Sequence, residues 1–261
     1  MRTILVWNDP WRLADPAPGL AALGWEVVDD RRAAVDADAI VFHLPTLDPA
    51  ALPDGRRPGQ RWVAWSHESE VNYPIMGDPA FMAHFDLTMT HRRDADVWVP
   101  YLPPLDDLFA PPVAKTQAAP AVYIASNAQD RSGRDAYVAE LMRHVAVDRY
   151  GRQPGFRRIE DDDGRPAKLR TIARYRFTLA FENSIAPDYV TEKFFEALVA
   201  GSVPIVLGAP NVAAFAPAPD AYLDVRDFAD PAALAARMEA LVADERAYAA
   251  MLAWKTRGVA P

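Results

Sequence analysis

The chain has 261 residues, 51% of them apolar and 25% charged, with a formal charge of −8 and no cysteine. That length is long for one core and suits two compact α/β lobes. The acidic balance argues against a generic nucleic-acid or anionic-membrane surface, and without Cys there are no disulfides and no thiolate metal sites.

The chain begins "MRTILVWNDPW", whose apolar run is too short for a signal peptide and has strand character. No stretch approaches the ~20 apolar residues of a membrane span. The expectation is a cytoplasmic protein with no transmembrane segment and no nucleic-acid partner.

In chain order, "RTILVW" (2–7) reads as a strand, and "PGLAALG" (18–24) as a short helix closed by Gly24. Strand character follows at 24–30, 38–45, 61–68 and 85–91. Several of these runs are continuously apolar, which suits parallel strands covered on both faces. The Pro- and Ala-rich stretch from Leu102 to Pro120 has no periodicity and reads as an inter-domain connection. The division expected is an N-terminal lobe at 1–104, a linker at 105–120 and a C-terminal lobe at 121–261. The alternation then restarts, with strands at 121–127, 147–151, 177–183, 203–208 and 221–228. Helices are expected at 133–145, 165–175 and 191–200, with paired helices from Pro231 to about Trp254. The fold class is α/β, two Rossmann-like lobes facing a cleft. In open parallel sheets ligands sit beyond the carboxyl ends of the strands, so both lobes should point loops at that cleft.

The densest chemistry lies in "FTLAFENSIAPDYVTEKFFEALVAGSVPIVLG", Phe177 to Gly208. Thr191 fits the N-cap of a helix whose Phe194, Phe195, Leu198 and Val199 bury one face, and Gly201 closes it. Lys193 fits less well, because a cation in the first turn faces the positive end of the helix dipole, at a cost of about a few tenths of a kcal/mol. An anion docked there would reverse the sign, and a diphosphate is the obvious candidate. The alternative is surface neutralisation by Glu192. Asn183 and Tyr189 can reach hydroxyls or phosphate oxygens, and Glu182 and Asp188 add carboxylates at the same strand end.

This string closely resembles the signature of the α-1,3-fucosyltransferases that use GDP-fucose, glycosyltransferase family 10, with unbroken spacing from Asn183 to Lys193. The resemblance extends to "RPGQRWVAWSHESEVNYP" (57–74), "FDLTMTHRRDADVWVPY" (85–101) and "IASNAQDRSGRDAYVAEL" (124–141). It covers most of the chain from about Arg57 to Asp227, and only strand order and "FHLP" (42–45) before that. It implies the two-lobed GT-B fold and an inverting transfer of L-fucose to a sugar hydroxyl, such as the 3-OH of an N-acetylglucosamine or glucose unit. It also implies GDP-fucose and an oligosaccharide acceptor as partners, with no metal or other cofactor required.

By resemblance, Lys193 and Arg134 contact the diphosphate, with Arg131 as the rival to Arg134. Asn183, Tyr189, Ser126 and Asn127 fall on the donor side. Glu192 contacts the fucose and stabilises positive charge as the glycosidic bond breaks. Glu68 falls at the position of the general base. Here the sequence departs from the Glu-Ser-Pro of many animal members, reading Glu68-Ser69-Glu70, so Glu70 could compete for the role or raise the pKa of Glu68. His43 and His67 are candidates for holding the acceptor or orienting the carboxylate. The Asp-x-Asp of "EDDDG" (160–164) follows no apolar strand and reads as a solvated turn. Arg92 or Arg93 is a candidate for structural pairing. A different nucleotide sugar as donor, such as GDP-mannose, or a catalytically silent sugar-nucleotide-binding protein would fit the same fold.

Overall fold

The computed structural model describes residues 1–8 and 18–257, which divide by their internal contacts into two units, Met1–Pro100 and Tyr101–Pro261. In the first unit six parallel strands form one sheet: β1 (Arg2–Val6), β2 (Trp25–Val28), β3 (Ala39–His43), β4 (Arg61–Ser66), β5 (Leu87–Thr90) and β6 (Val97–Trp98). Their order is β2-β1-β3-β4-β5-β6. Two short helices, α1 (Pro18–Ala22) and α2 (Pro79–Met82), accompany them. Leu5, Ile40, Phe42, Trp62, Ala64 and Phe81 form the core, with the Phe42 and Trp62 rings 5.1 Å apart. Strand β6 is absent from the sequence expectation. It has only two residues, and side-chain bonds help to hold it: Thr88 donates from its backbone N to Asp96 Oδ2 at 2.8 Å and from its hydroxyl at 2.9 Å.

The second unit contains α3 (Leu105–Leu108), β7 (Ala121–Ile124), α4 (Arg134–Leu141), β8 (Val147–Tyr150), α5 (Arg165–Ala173) and β9 (Phe177–Phe181). It continues with α6 (Glu192–Val199), β10 (Val203–Leu207), β11 (Leu223–Asp224), α7 (Pro231–Ala243), α8 (Glu245–Met251) and α9 (Trp254–Arg257). The five strands are parallel in the order β11-β10-β9-β7-β8. All five residues of β9 are buried. Phe177, Leu179 and Phe181 face one core cluster, and Ala180 faces a second with Phe194, Phe195 and Leu198 of α6. Cover on both faces explains why this strand reads as an unbroken apolar run.

The segment 105–120, expected as a linker, is tied to the second unit. Lys115 Nζ donates to the carbonyls of Gly201 at 2.6 Å and Ala173 at 2.8 Å. Gly201 ends α6 with φ +65°, and an added Cβ would stand 2.7 Å from Pro112 Cβ. Gly201 N donates to Leu198 O at 3.1 Å and Ser202 N to Ala197 O at 2.9 Å, the paired closure that a left-handed residue after a helix permits. Among the described residues no helix is long and apolar enough to cross a membrane.

Candidate active site

In the second sheet the chain runs outward from β7 to β8 and, on the other side, from β9 to β10 and β11. The order therefore reverses between β7 and β9, and the crevice beyond their carboxyl ends is where open α/β sheets take ligands. Ser126 and Asn127 follow β7 and are exposed, whereas Glu182 and Asn183 follow β9 and are buried. The two loops are bonded together: Arg131 N donates to Asn183 O at 2.7 Å, and Ser132 Oγ to Glu182 O at 2.6 Å.

Thr191 caps α6 as expected, its hydroxyl accepting from Lys193 N. Glu182, only 2% exposed, holds this cap by accepting from Thr191 N and Thr191 Oγ1, both at 2.8 Å. A Cβ at position 208 would lie 2.9 Å from Glu182 Cγ, so Gly208 makes room for that side chain. Lys193 Nζ reaches Thr191 Oγ1 at 2.9 Å, Glu192 Oε1 at 3.2 Å and Glu182 Oε2 at 3.3 Å. Its side chain is 20% exposed, so the ammonium is largely enclosed, and Glu182 shares with Glu192 the neutralisation expected of Glu192 alone. Burial works against the Lys193 charge, but Glu182 and Glu192 outweigh it and hold the ammonium above the usual lysine range. Burial pushes the Glu182 carboxyl up, against the pull of Lys193. For Glu192, burial opposes ionisation, but Lys193 and then Lys168 keep its carboxyl below the usual range. Lys168 of α5 stands 3.8 Å from Glu192 and 2.6 Å from Glu196.

Beside this helix start, Tyr189 is buried, and Asp188 takes a left-handed φ of +61°. Asp188 and Asn211 bond reciprocally: Asp188 N donates to Asn211 Oδ1 at 2.9 Å, and Asn211 Nδ2 to Asp188 Oδ1 at 2.8 Å. Asp188 therefore shapes the loop that carries Tyr189 and Thr191.

The start of α4 differs from expectation. Asp130 turns back onto it and accepts from the backbone N–H groups of Ser132, Gly133, Arg134 and Asp135, at 2.8 to 3.1 Å. Burial opposes the Asp130 charge, yet these donors hold its carboxyl below the usual range. Arg134, expected to contact the diphosphate, is 1% exposed. Its Nη2 donates to Asn127 O at 2.6 Å and Gln129 O at 3.1 Å, and its Nη1 to Phe181 O at 3.4 Å. The guanidinium thus braces the β7 loop from beneath. Arg131, the rival, is the exposed guanidinium of this loop.

In the first unit the strand order reverses between β1 and β3. His43 ends β3, with its backbone N donating to Asn8 Oδ1 at 3.0 Å and its Nδ1 lying 2.9 Å from Thr46 Oγ1. Its ring packs edge-on against Trp65 at 5.0 Å, and Trp65 in turn meets His67 at 6.0 Å. Burial lowers the His67 pKa despite opposing effects of the Val99 backbone and Glu68, so the ring is neutral near pH 7. Glu68 lies two residues past β4, half-buried, and Asn72 Nδ2 donates to its Oε2 at 3.2 Å. Ser66 Oγ donates to Glu68 O at 2.9 Å and accepts from Glu68 N at 3.0 Å, which fixes the turn. Glu70, expected to compete with Glu68 or to raise its pKa, is paired with Arg92 at 3.2 Å, and Arg92 also binds Asp94 at 2.7 Å. Arg92 is thus the structural partner, while Arg93 lies over the Trp98 ring at 5.7 Å. In the "EDDDG" loop, Asp163 is bonded twice to Arg170 at 3.1 Å, and Asp162 accepts from Gly164 N at 3.0 Å.

Residues 1–102 match the family model described as fucosyltransferase, N-terminal, and residues 114–259 match that of glycosyltransferase family 10 (fucosyltransferase), C-terminal. The Mus musculus α-(1,3)-fucosyltransferase 7 is 38% identical over 98% of this chain and 66% of its own length. Its Rattus norvegicus counterpart is 36% identical over 98% and 70%. The Pan troglodytes 4-galactosyl-N-acetylglucosaminide 3-alpha-L-fucosyltransferase FUT6 is 35% identical over 97% and 72%. The chain thus spans 66 to 72% of the length of these three relatives. A solved α1,3-fucosyltransferase with GDP-fucose shares the fold at a TM-score of 0.67 and 17% identity, covering 96% of this chain and 81% of that one. A DNA-modifying β-glucosyltransferase does so at 0.52 and 11% identity, covering 98% and 93%. Both likenesses place the two α/β units in the GT-B class.

Proposed function

The chain belongs to glycosyltransferase family 10, the fucosyltransferases, and from that premise we propose that it transfers L-fucose from GDP-fucose to a hydroxyl of an oligosaccharide acceptor with inversion at the anomeric carbon. In the step, the acceptor oxygen bonds to the fucose C1, the bond from C1 to the phosphate oxygen breaks, and GDP departs with that electron pair. The hydroxyl proton passes to Glu68, whose carboxylate is set by Asn72 and the Ser66 turn. Lys193 offers the departing diphosphate a cation that keeps its proton, and exposed Arg131 is the second donor. Arg134 acts indirectly by holding the Asn127 and Gln129 carbonyls. Ser126, Asn127, Asn183 and Tyr189 border the nucleotide sugar. Glu192, kept ionised, faces positive charge developing on the sugar. His43 and His67 sit on the acceptor side, and neutral His67 contributes hydrogen bonding rather than charge. In this reading the two cations offset the leaving-group charge without a divalent metal.

The observation that carries the reading is the linked set Glu182, Thr191, Glu192 and Lys193 at one helix start. Incubation with GDP-fucose and a panel of lactosamine-type acceptors is expected to release GDP. Glu68→Gln is expected to lower turnover by about 10²- to 10⁴-fold while GDP-fucose still binds. Silence across the panel, together with no GDP-fucose binding, would overturn the proposal. Donor choice is tested by thermal shift, with GDP-fucose stabilising the protein more than GDP-mannose or UDP-glucose at equal concentration.

A further inference from the structure

Helix α6 carries Glu192 and Glu196 four residues apart, so both carboxylates lie on one helix face, where like charges repel. Helix α5 sets two cations against them. Arg165 Nε stands 3.7 Å from Glu196 Oε1, and Lys168 Nζ stands 2.6 Å from Glu196 Oε2 and 3.8 Å from Glu192 Oε1. From this placement we propose that Lys168 is a positioning residue for Glu192, fixing its carboxylate for the sugar while Lys193 serves the diphosphate. This role rests on the proposed transfer and adds how one helix start serves two opposite charges.

Lys193 alone does not secure Glu192. Its ammonium is shared, at 3.2 Å from Glu192 Oε1 and 3.3 Å from Glu182 Oε2. A docked diphosphate would draw the same ammonium further, since it offers more negative charge than one carboxylate. Lys168 stands apart from that competition. Its partner Glu196 is 5% exposed, so the ammonium cannot leave without stranding a buried charge. Lys168 is thereby anchored within reach of Glu192 whatever Lys193 does. Arg165 in turn reaches Asp107 of α3 at 3.4 Å. The signs therefore alternate from Asp107 through Arg165, Glu196, Lys168, Glu192 and Lys193 to Glu182.

Both ammonium groups are nearest Oε1 of Glu192, so they hold the carboxylate by one oxygen. The side chain also lines a cavity of about 290 Å³ with Tyr101, Arg165, Phe195 and Glu196, which gives a ligand access to it. A long side chain opening on such a space keeps several rotamers unless something fixes it. Burial opposes the Glu192 charge, and Lys193 and then Lys168 outweigh it. The like charges beside it are Glu182, after β9, and Glu196 of its own helix.

NMR of the full chain with isotope-labelled glutamate carboxyls would follow the Glu192 titration, its signal identified by its loss in Glu192→Gln. With GDP bound, Lys168→Met is expected to raise the titration midpoint by about one pH unit. It is also expected to lower kcat about tenfold while GDP affinity stays within about threefold. Lys168→Arg should restore most of both. Glu196→Gln alone should leave both nearly unchanged, because Lys168 stays beside Glu192. If Lys168→Met does not fold, combining it with Glu196→Gln removes the buried partners together, and the same shift and loss are expected. A kcat loss that Glu196→Gln repairs, or a Glu192 titration that Lys168→Met leaves unmoved, would overturn the positioning role alone. Full kcat in Glu192→Gln would remove the sugar-facing carboxylate of the parent reading, and the role of Lys168 with it.

Discussion

Helices α4 and α6 start within the same switch point of the C-terminal unit, yet a carboxylate of the chain's own fills the first, while the second carries an ammonium. At α4 the N–H groups that could cradle a phosphate are occupied by Asp130, and the adjacent Arg134 is spent on carbonyls. At α6 the cap is a neutral hydroxyl, and the charge is supplied by Lys193, balanced by Glu182 and Glu192. The chain supplies carboxylates at both starts: at α4 Asp130 takes the first-turn N–H groups, whereas at α6 Glu182 and Glu192 hold the cap and the ammonium. One start builds the loop, and in the proposed reading the other meets the ligand.

The largest effect that sharpens this contrast is expected at Lys193. Lys193→Met leaves Glu182 buried without its cation, and removing one member of a buried pair costs about 3–5 kcal/mol. Denaturant unfolding checks this, and a loss under about 1 kcal/mol would show that Glu182 does not depend on Lys193. Next come the two arginines of the β7 loop, which should separate cleanly. Arg134→Met is expected to cost about 2–3 kcal/mol of stability, because it strips charged donors from buried carbonyls. Arg131→Ala is expected to leave stability within about 0.5 kcal/mol and to weaken GDP about tenfold. The reverse pattern would restore Arg134 as the direct phosphate ligand.

Much of this was legible before any coordinates. Thr191, Gly201 and the buried face of α6 follow from capping and periodicity, and strand β9 from its unbroken apolar run. The side-chain returns were not legible. Asp130 precedes α4 by four residues and reaches its N–H groups only because Ser132 and Gly133 turn the chain back, with φ +77° at Gly133. An Asp placed ahead of Ser-Gly at a helix start was the available signal. Arg134 was read by resemblance as a diphosphate contact, and its burial depends on the Asn127 and Gln129 carbonyls of its own loop and on Phe181 O of β9, 47 residues away. Strand β6 was missed because two residues carry no pattern. Segment 105–120 read as a linker because the partners of Lys115 lie about 60 and 90 residues away.

The smallest predicted effect concerns acid. The folded-state pKa of Asp130 is below its unfolded value. The unfolded chain therefore takes up more protons in the interval between the two, and this contribution is present above the unfolded value and lost as pH falls through the folded one. Asp130→Asn should lower stability by about 1–2 kcal/mol at pH 7 and flatten the acid limb below about pH 4. An unchanged acid limb would mean that the carboxylate does not hold the α4 start in solution.

The most direct test is calorimetric titration of GDP into the unaltered chain, Lys193→Met and Asp130→Asn, each at a temperature where it is folded. The account predicts that Lys193→Met loses at least about a hundredfold in affinity, equivalent to about 2.8 kcal/mol, while Asp130→Asn stays within a few-fold. Full affinity in Lys193→Met, or loss confined to Asp130→Asn, would contradict it.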